Sequence, residues 1–527
     1  FLGMPVASAQ LEELQSQDIF NLRGGLNSTS ETTALSPEEA SDIQNFILNT
    51  SGAIRTRQGF TQSNVTALGA TATATALGFY KQSDGDRFIV GVISNGASDS
   101  LRKMDYNAAG LPDGVWDDIT PTGGLATADD QLADMATATD TLYVAYGDGT
   151  RSLLKYTGSG VATELTSLPD ATMVELHKRI LWLAGRSDAR NCVAFSGLDA
   201  PETFNNTTCT GSGDYLLVET DDGQVITGLK SALDCLYIFK TKSIWRACGS
   251  DRDNLNLEQM VQGIGAASNQ SIALINNQFV FKTSEENFVV YNGGLKVENI
   301  SSKIQGTLDN LNPDRVNKTV ATAFDDGAGD EDYYACVSQA GSGTHNQVLL
   351  FDTFHKAWTK FEGINCNAMV VSEIGPSERA LLFADYGGNL LRYPDGETDN
   401  GATIVAFYQS GDLRFPGIAT LKAFRDIQVF MRSQGTGKNA GFRYQIDFGT
   451  VTVSKTVDLS GTGALWDTAI WDTDIYADQS TVIRRFEVNR QGDFLQWRLE
   501  QNGPSNPVLL RGLRIWLEGS GRLGETQ

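Results

Sequence analysis

The chain has 527 residues, 41% hydrophobic and 20% charged, with 54 Gly against 12 Pro and a formal net charge of −23. That composition excludes a disordered or collagen-like chain, and its acidity argues against a protein that wraps nucleic-acid phosphates. The length exceeds one ordinary domain, and no apolar run reaches the roughly 18 residues of a membrane-crossing helix.

The acid is unevenly placed: residues 412–527 carry a net +1 and residues 1–60 a net −4, which leaves −20 for 61–411. The six cysteines (192, 209, 235, 248, 336 and 366) show no CxxC spacing and sit in or near apolar runs, so buried free thiols are expected. The three histidines (177, 345 and 355) are far apart, which makes a His-based metal or catalytic centre unlooked-for. Val6–Ala9 has the small residues of a signal-peptidase site without the charged and apolar regions that would precede one.

Residues 1–60 read as a region of their own. Asp18–Leu22 is a short apolar stretch, and Arg23-Gly24-Gly25 supplies a turn. Ser36, Pro37 and Glu39 have the order of a capping box, and Ala40, Ile43, Phe46 and Ile47 follow at helical spacing. The pattern predicts a short amphipathic helix, then a basic extended arm through Arg55 and Arg57.

From 61 to 411 short β-branched or aromatic runs recur between Gly, Asp and Asn turns. Phe88–Val90, Leu142–Val144, Ile180–Trp182, Leu236–Ile238, Phe279–Phe281, Tyr333–Ala335 and Leu381–Phe383 begin 38 to 56 residues apart. Read as the inner strands of four-stranded units, they predict a β-propeller of about seven blades, with six or eight left open. A series of sandwiches or a solenoid is the structural alternative. An insertion near 301–316 is expected to hold a short helix. From 412 to 527 the strands lengthen and alternate more cleanly, as in Phe442–Phe448 and Phe494–Leu499, which predicts a C-terminal β-sandwich. Trp466-Asp467 and Trp471-Asp472 read as loop anchors. The fold class is therefore all-β: an N-terminal helical clip (1–60), a propeller (61–411) and a sandwich (412–527).

Residues 18–60 resemble the N-terminal segment of podovirus tail nozzle proteins, the tail tubular protein B family. The matching text is Asn21-Leu22-Arg23-Gly24-Gly25-Leu26-Asn27, Leu35 to Asn45, and Gly52-Ala53-Ile54-Arg55-Thr56-Arg57. Beyond it the resemblance is one of layout, a propeller-like middle and a β-rich end at Gly492–Leu517. It implies a homohexameric ring beneath the portal and the tail adaptor ring, docking tail fibres or spikes and meeting the host envelope indirectly. It implies a conduit for double-stranded DNA that binds none of it specifically, in a virion tail assembled in the bacterial cytoplasm. An amphipathic segment is surplus to a closed propeller, so Arg23, Gly24, Gly25, Ile43, Phe46, Ile47, Arg55 and Arg57 are the expected assembly contacts.

Catalysis is not expected. Gly-x-Ser-x-Gly, His-Glu-x-x-His, the phosphate-binding loop and the sialidase Asp boxes are all missing from the sequence. Asp84-Gly85-Asp86 and Asp325–Asp332 lack the calcium-loop pattern and read as solvated turns, and no cofactor is expected. The competing reading is a propeller that binds or hydrolyses carbohydrate on the host surface, since paired acids at a channel mouth suit glycosidase chemistry.

Overall fold

A computed structural model describes residues 14–522, apart from 70–71, 128–129, 148, 250–253, 328–329, 376–377, 416–419, 435–436, 450, 461–480, 502 and 504–506. The two Trp-Asp pairs and Val6–Ala9 lie outside the described residues. The chain forms two compact units, one of residues 58–356 and 361–402, the other of 1–57, 357–360 and 403–527.

The first unit is a seven-bladed propeller. Six sheets are built in sequence order, with first strands at Thr73–Lys81, Asp134–Ala138, Met173–His177, Ile226–Ala232, Ala273–Ile275 and Val320–Phe324. The seventh begins at Ala368–Ile374, and its fourth strand is Thr61–Gln62, from the other end of the unit. Asn64, itself buried, locks that strand in place: it accepts from Leu390 N–H at 2.8 Å and donates to Gly388 O at 3.2 Å. Thr61 adds a bond to Asp395.

The seven runs read from the sequence are all present, one per blade, but as second strands. Their position explains why they were visible. A second strand is paired on both edges and packed on both faces, so it is the most continuously apolar strand of its blade. Apolar side chains from adjacent blades then interdigitate, as Tyr80, Phe88 and Tyr156 do between blades one and two. A short helix stands at Gln305–Leu308, within the expected insertion.

Two disulfides lie within this unit, Cys192–Cys209 and Cys235–Cys248, while Cys336 and Cys366 are free and buried. The expectation of six free thiols is corrected for four of them. Cys235 and Cys248 fall opposite each other on adjacent strands, a pairing that a separation of 13 residues does not announce.

The second unit corrects the helical clip. Residues 39–44 and 46–48 are strands, and they belong to the same sandwich as the C-terminal region. One sheet carries 46–48, 54–56, 509–522, 420–432 and 481–492, with 15–19 added on 509–522. The other carries 25–26, 39–44, 407–410, 494–501, 439–446 and 451–458, with 413–414 added on 494–501. Phe442 of one sheet stacks on Phe486 of the other at 5.7 Å.

The helical spacing has a local cause. The register slips between Ala40 and Asp42, a bulge that puts Ala40 and Ile43, three residues apart, on one buried side. Half of the capping box forms: Ser36 N–H donates to Glu39 Oε2 at 3.1 Å, while Glu39 N–H donates to Ser36 O at 2.9 Å and not to the Ser36 hydroxyl, and these bonds have a different use. They close a turn that leads into a strand. Positive φ at Asn45 (56°) then redirects the chain before Phe46.

Residues 1–57 therefore cannot be removed without dismantling the sandwich. Ile43, Phe46, Ile47 and Ile54 are all at most 2% exposed, and burying each such side chain contributes roughly 1.5–3 kcal/mol. Deleting 1–57 is expected to abolish the cooperative unfolding of this unit in calorimetry, and Ile47→Ala to cost about 2–4 kcal/mol. A deletion variant that keeps both unfolding transitions would contradict the shared sandwich.

Candidate functional site

The expected assembly residues fall into the sandwich unit, each with an internal role. Ile43, Phe46 and Ile47 are consumed by the core, so they offer no apolar face to a neighbour, a correction to the expected contact. Gly24 and Gly25 are required by close approach: a Cβ on Gly24 would meet Glu38 O at 2.7 Å, and one on Gly25 (φ +67°) would meet Trp358 O at 2.8 Å. Arg57 is buried and donates from Nε to Asn45 Oδ1 at 2.9 Å. Arg55 is half-buried in the 54–56 strand, and Arg23 is exposed, with its Nε 2.6 Å from Asn21 Oδ1.

The propeller holds a site that sequence reasoning missed, in its central channel. The 3₁₀ turn Asn269–Ser271, between blades four and five, reaches far enough inward to bond to blade two. Asn269 Nδ2 donates to Asp134 Oδ2 of blade two at 2.8 Å, and Asn269 Oδ1 accepts Leu229 N–H of blade four at 3.1 Å. Gln270 Nε2 donates to Ala133 O, next to blade two, at 2.7 Å. Val174 N–H of blade three donates to the same Asp134 oxygen at 2.9 Å. Ser268 Oγ donates to Thr319 O, and Tyr333 O–H of blade six donates to Ser271 O. The turn and its cap thus bond to blades two, four and six, and Asp134 extends the link to blade three.

That turn divides the channel. On one side is a cup of about 610 Å³ at the mouth where the first strands begin, walled by hydroxyl and amide groups such as Thr227, Thr241, Ser284 and Asn317, with Lys318 and Asp314 as its charges. On the other side is a cavity of about 440 Å³ with a more apolar wall that includes Phe79, Met135, Met369 and Val371. Gln270 touches both.

Three ionisable groups stand on the first strands of blades two to four: Asp134, Glu175 and Lys230. Burial pushes the Asp134 carboxyl above its usual value, against the pull of Lys230 and its hydrogen bonds. Burial also pushes Glu175 up to about 7, with Lys230 opposing and Asp134 reinforcing the rise. Glu175 keeps part of its surface exposed although protein surrounds most of it. A pair of raised carboxyls in a channel is what glycosidase chemistry would need. Asp134, however, already accepts bonds from Val174 and Asn269, which commits it to holding blades together.

The two acidic turns are self-bonded: Asp84 Oδ1 accepts Asp86 N–H and Asp325 Oδ1 accepts Gly327 N–H. Among the described residues no group of three His, Cys, Asp or Glu is arranged to hold a metal ion. The only sequence signal for the plug was the polar run Ser268-Asn269-Gln270-Ser271, which looks like any inter-strand loop.

No known family matches the chain, and no curated protein matches it. Solved structures do. The Pan2 WD40 domain of Neurospora crassa is 11% identical, covering 64% of this chain and 97% of its own, with a TM-score of 0.38. BBS1N in complex with ARL6DN is 9% identical over 66% and 99%, at 0.39. An exo-β-1,3-galactanase from Phanerochaete chrysosporium is 7% identical over 88% and 100%, at 0.27. Likeness at this level says nothing of function, and the seven-bladed architecture rests on the chain's own strand order.

Two outcomes follow from the plug. Asn269→Ala leaves Leu229 N–H without its acceptor and is expected to cost about 1–3 kcal/mol in denaturant unfolding. Glu175 binds its proton more tightly folded than unfolded, so its contribution is full below about 4.5 and is lost as pH rises through about 7. Glu175→Gln should therefore flatten the fall in melting temperature between about pH 5 and about pH 8, and identical slopes in both proteins would refute the buried-proton assignment.

Proposed function

We propose that this chain is a non-enzymatic structural protein of a short phage tail, a ring-forming nozzle that makes the distal DNA-ejection channel and helps retain the genome until infection. The observation that carries this reading is the resemblance at 18–60, taken with what those residues do. Gly24 and Gly25 permit close approach, Asn45 makes a positive-φ bend, and Arg57 is buried against Asn45. A motif whose members hold specific places in a sandwich goes with that sandwich, which supports a shared fold with the family it resembles.

The proposed assembly is a homohexamer between a tail adaptor ring and fibre or spike proteins, in the virion tail and formed in the bacterial cytoplasm. Its bore would pass double-stranded DNA without specific binding. The −20 carried by residues 61–411 suits a wall that repels phosphate, since each Lys or Arg contact would add friction. Against a catalytic role stands the commitment of Asp134 to inter-blade bonds.

A second reading, a propeller that binds host-surface carbohydrate, is favoured by one feature, the 610 Å³ cup walled by hydroxyls and amides. The two readings separate on measurement. Native mass measurement of the purified chain should give a six-fold ring, and host envelope polysaccharide should release no reducing sugar. A chain that stays monomeric at tens of micromolar, or turnover abolished by a single Asp or Glu substitution, would displace the nozzle reading.

A further inference from the structure

Four of the six cysteines are joined in two pairs, and in each pair the surrounding bonds already bring the two residues together. Cys235 opens the second strand of blade four and Cys248 ends the third, so the antiparallel register sets them opposite each other. Lys178 of blade three clamps the same strand ends. Its ammonium donates to Gly249 O at 2.6 Å and pairs with Asp234 at 3.0 Å, one residue from each cysteine.

Cys192 stands in the third strand of blade three, and Cys209 in the loop that leads to the fourth. The buried Asn206 shapes that loop. Its Oδ1 accepts Thr208 N–H at 2.9 Å and Cys209 N–H at 2.8 Å, and its Nδ2 donates to Thr210 O at 2.7 Å and Ser212 O at 3.1 Å. Cys209 is thus held at its turn, with φ 57°, by bonds that involve no sulfur.

Both disulfides therefore lie on a scaffold that noncovalent bonds define, which separates closing the sulfurs from folding the blades. Cytoplasmic thiol buffers keep such pairs reduced, whereas the surroundings of a free virion are oxidising. The phage-tail reading places assembly in the first setting and function in the second.

We propose that the chain folds and assembles with six thiols, and that these two pairs are modification sites closed by dioxygen once the particle leaves its host. The proposal rests on the phage-tail reading above. One dioxygen takes four electrons and four protons from the four thiols. Four S–H bonds break, two S–S bonds form, and the oxygen leaves as two waters. Cys235 and Cys248 are partly exposed, so they close first. Cys192 and Cys209 are buried, but Thr207, Thr208 and Thr210 around Cys209 are exposed, and that loop can open without unfolding the blade. Cys336 is paired on both edges within blade six, out of reach while the blade stands, so it and the buried Cys366 stay thiols. Each closed pair restricts the unfolded chain and leaves the native contacts as they are, so the particle hardens outside the host.

The test uses the full chain made in the bacterial cytoplasm. Cells are lysed without air into denaturant and iodoacetamide, and the labelled cysteines are read by peptide mass. All six are expected to carry the label. After the native chain has stood in air-saturated buffer only Cys336 and Cys366 should, with Cys235–Cys248 closing earlier than Cys192–Cys209. Native chain kept from air should already melt cooperatively and form rings, and air should raise its melting temperature by roughly 10 °C. A double variant, Cys235→Ser with Cys248→Ser, should form rings at wild-type concentration and lose about half of that rise. Pairs already closed inside the cells, a reduced chain that does not fold, or thiols that stay open in air would each overturn the proposal. A chain that oxidises as described but never forms rings would overturn the ring reading and leave closure after folding standing.

Discussion

A circle of β-sheets has to be closed, and in this protein a two-residue strand does it. Thr61–Gln62 completes the seventh blade on Leu391–Arg392, so the propeller is entered and left on the same blade. Without that strand the last blade would present a free edge, and the circle would be held only by face packing. The buried Asn64, bonded to Leu390 and Gly388, shows how closely the junction is specified. Entry and exit on one blade also mean that the flanking segments, 1–57 and 403–527, emerge from one place. They are then available to fold as a single sandwich, to which each supplies strands of both sheets.

The channel obeys a second constraint. Seven first strands expose unpaired backbone edges and a few buried charges around a void, and a void of that size must be filled or hydrated. The turn at 269–271 fills it with amides. Asn269 both donates and accepts, so it can satisfy the Asp134 carboxylate and the Leu229 amide together, where a hydrophobic plug would leave both unpaired. The result is a channel closed by bonds between blades.

Legibility in the sequence followed packing symmetry. The second strand of every blade was visible because burial on both faces makes its whole length apolar, as in Ile180–Ala184 and Phe279–Phe281. First strands were not, because one edge faces the channel and polar residues such as Asp134, Glu175 and Lys230 are tolerated there. The N-terminal segment misled for an identifiable reason: a bulge at Ala40–Asp42 spaces buried residues three apart, the same spacing that a helix produces. The plug was illegible because it joins residues distant in sequence, such as Asn269 and Asp134, and the disulfides because which cysteines meet depends on where strands and loops fall, even at separations of 17 and 13 residues.

The sequence by itself determined that this is an all-β chain with a propeller of about seven repeats and a β-rich end, because periodic burial and turn residues are local properties. It also determined the charge placement and the motif at 18–60. Tertiary structure alone decided which strand closes the circle, that the two ends share one sandwich, which cysteines meet, and which apolar residues face inward. Those outcomes depend on strand register and on contacts across hundreds of residues. A one-residue shift of register exchanges core for surface without changing the pattern from which the strands are read.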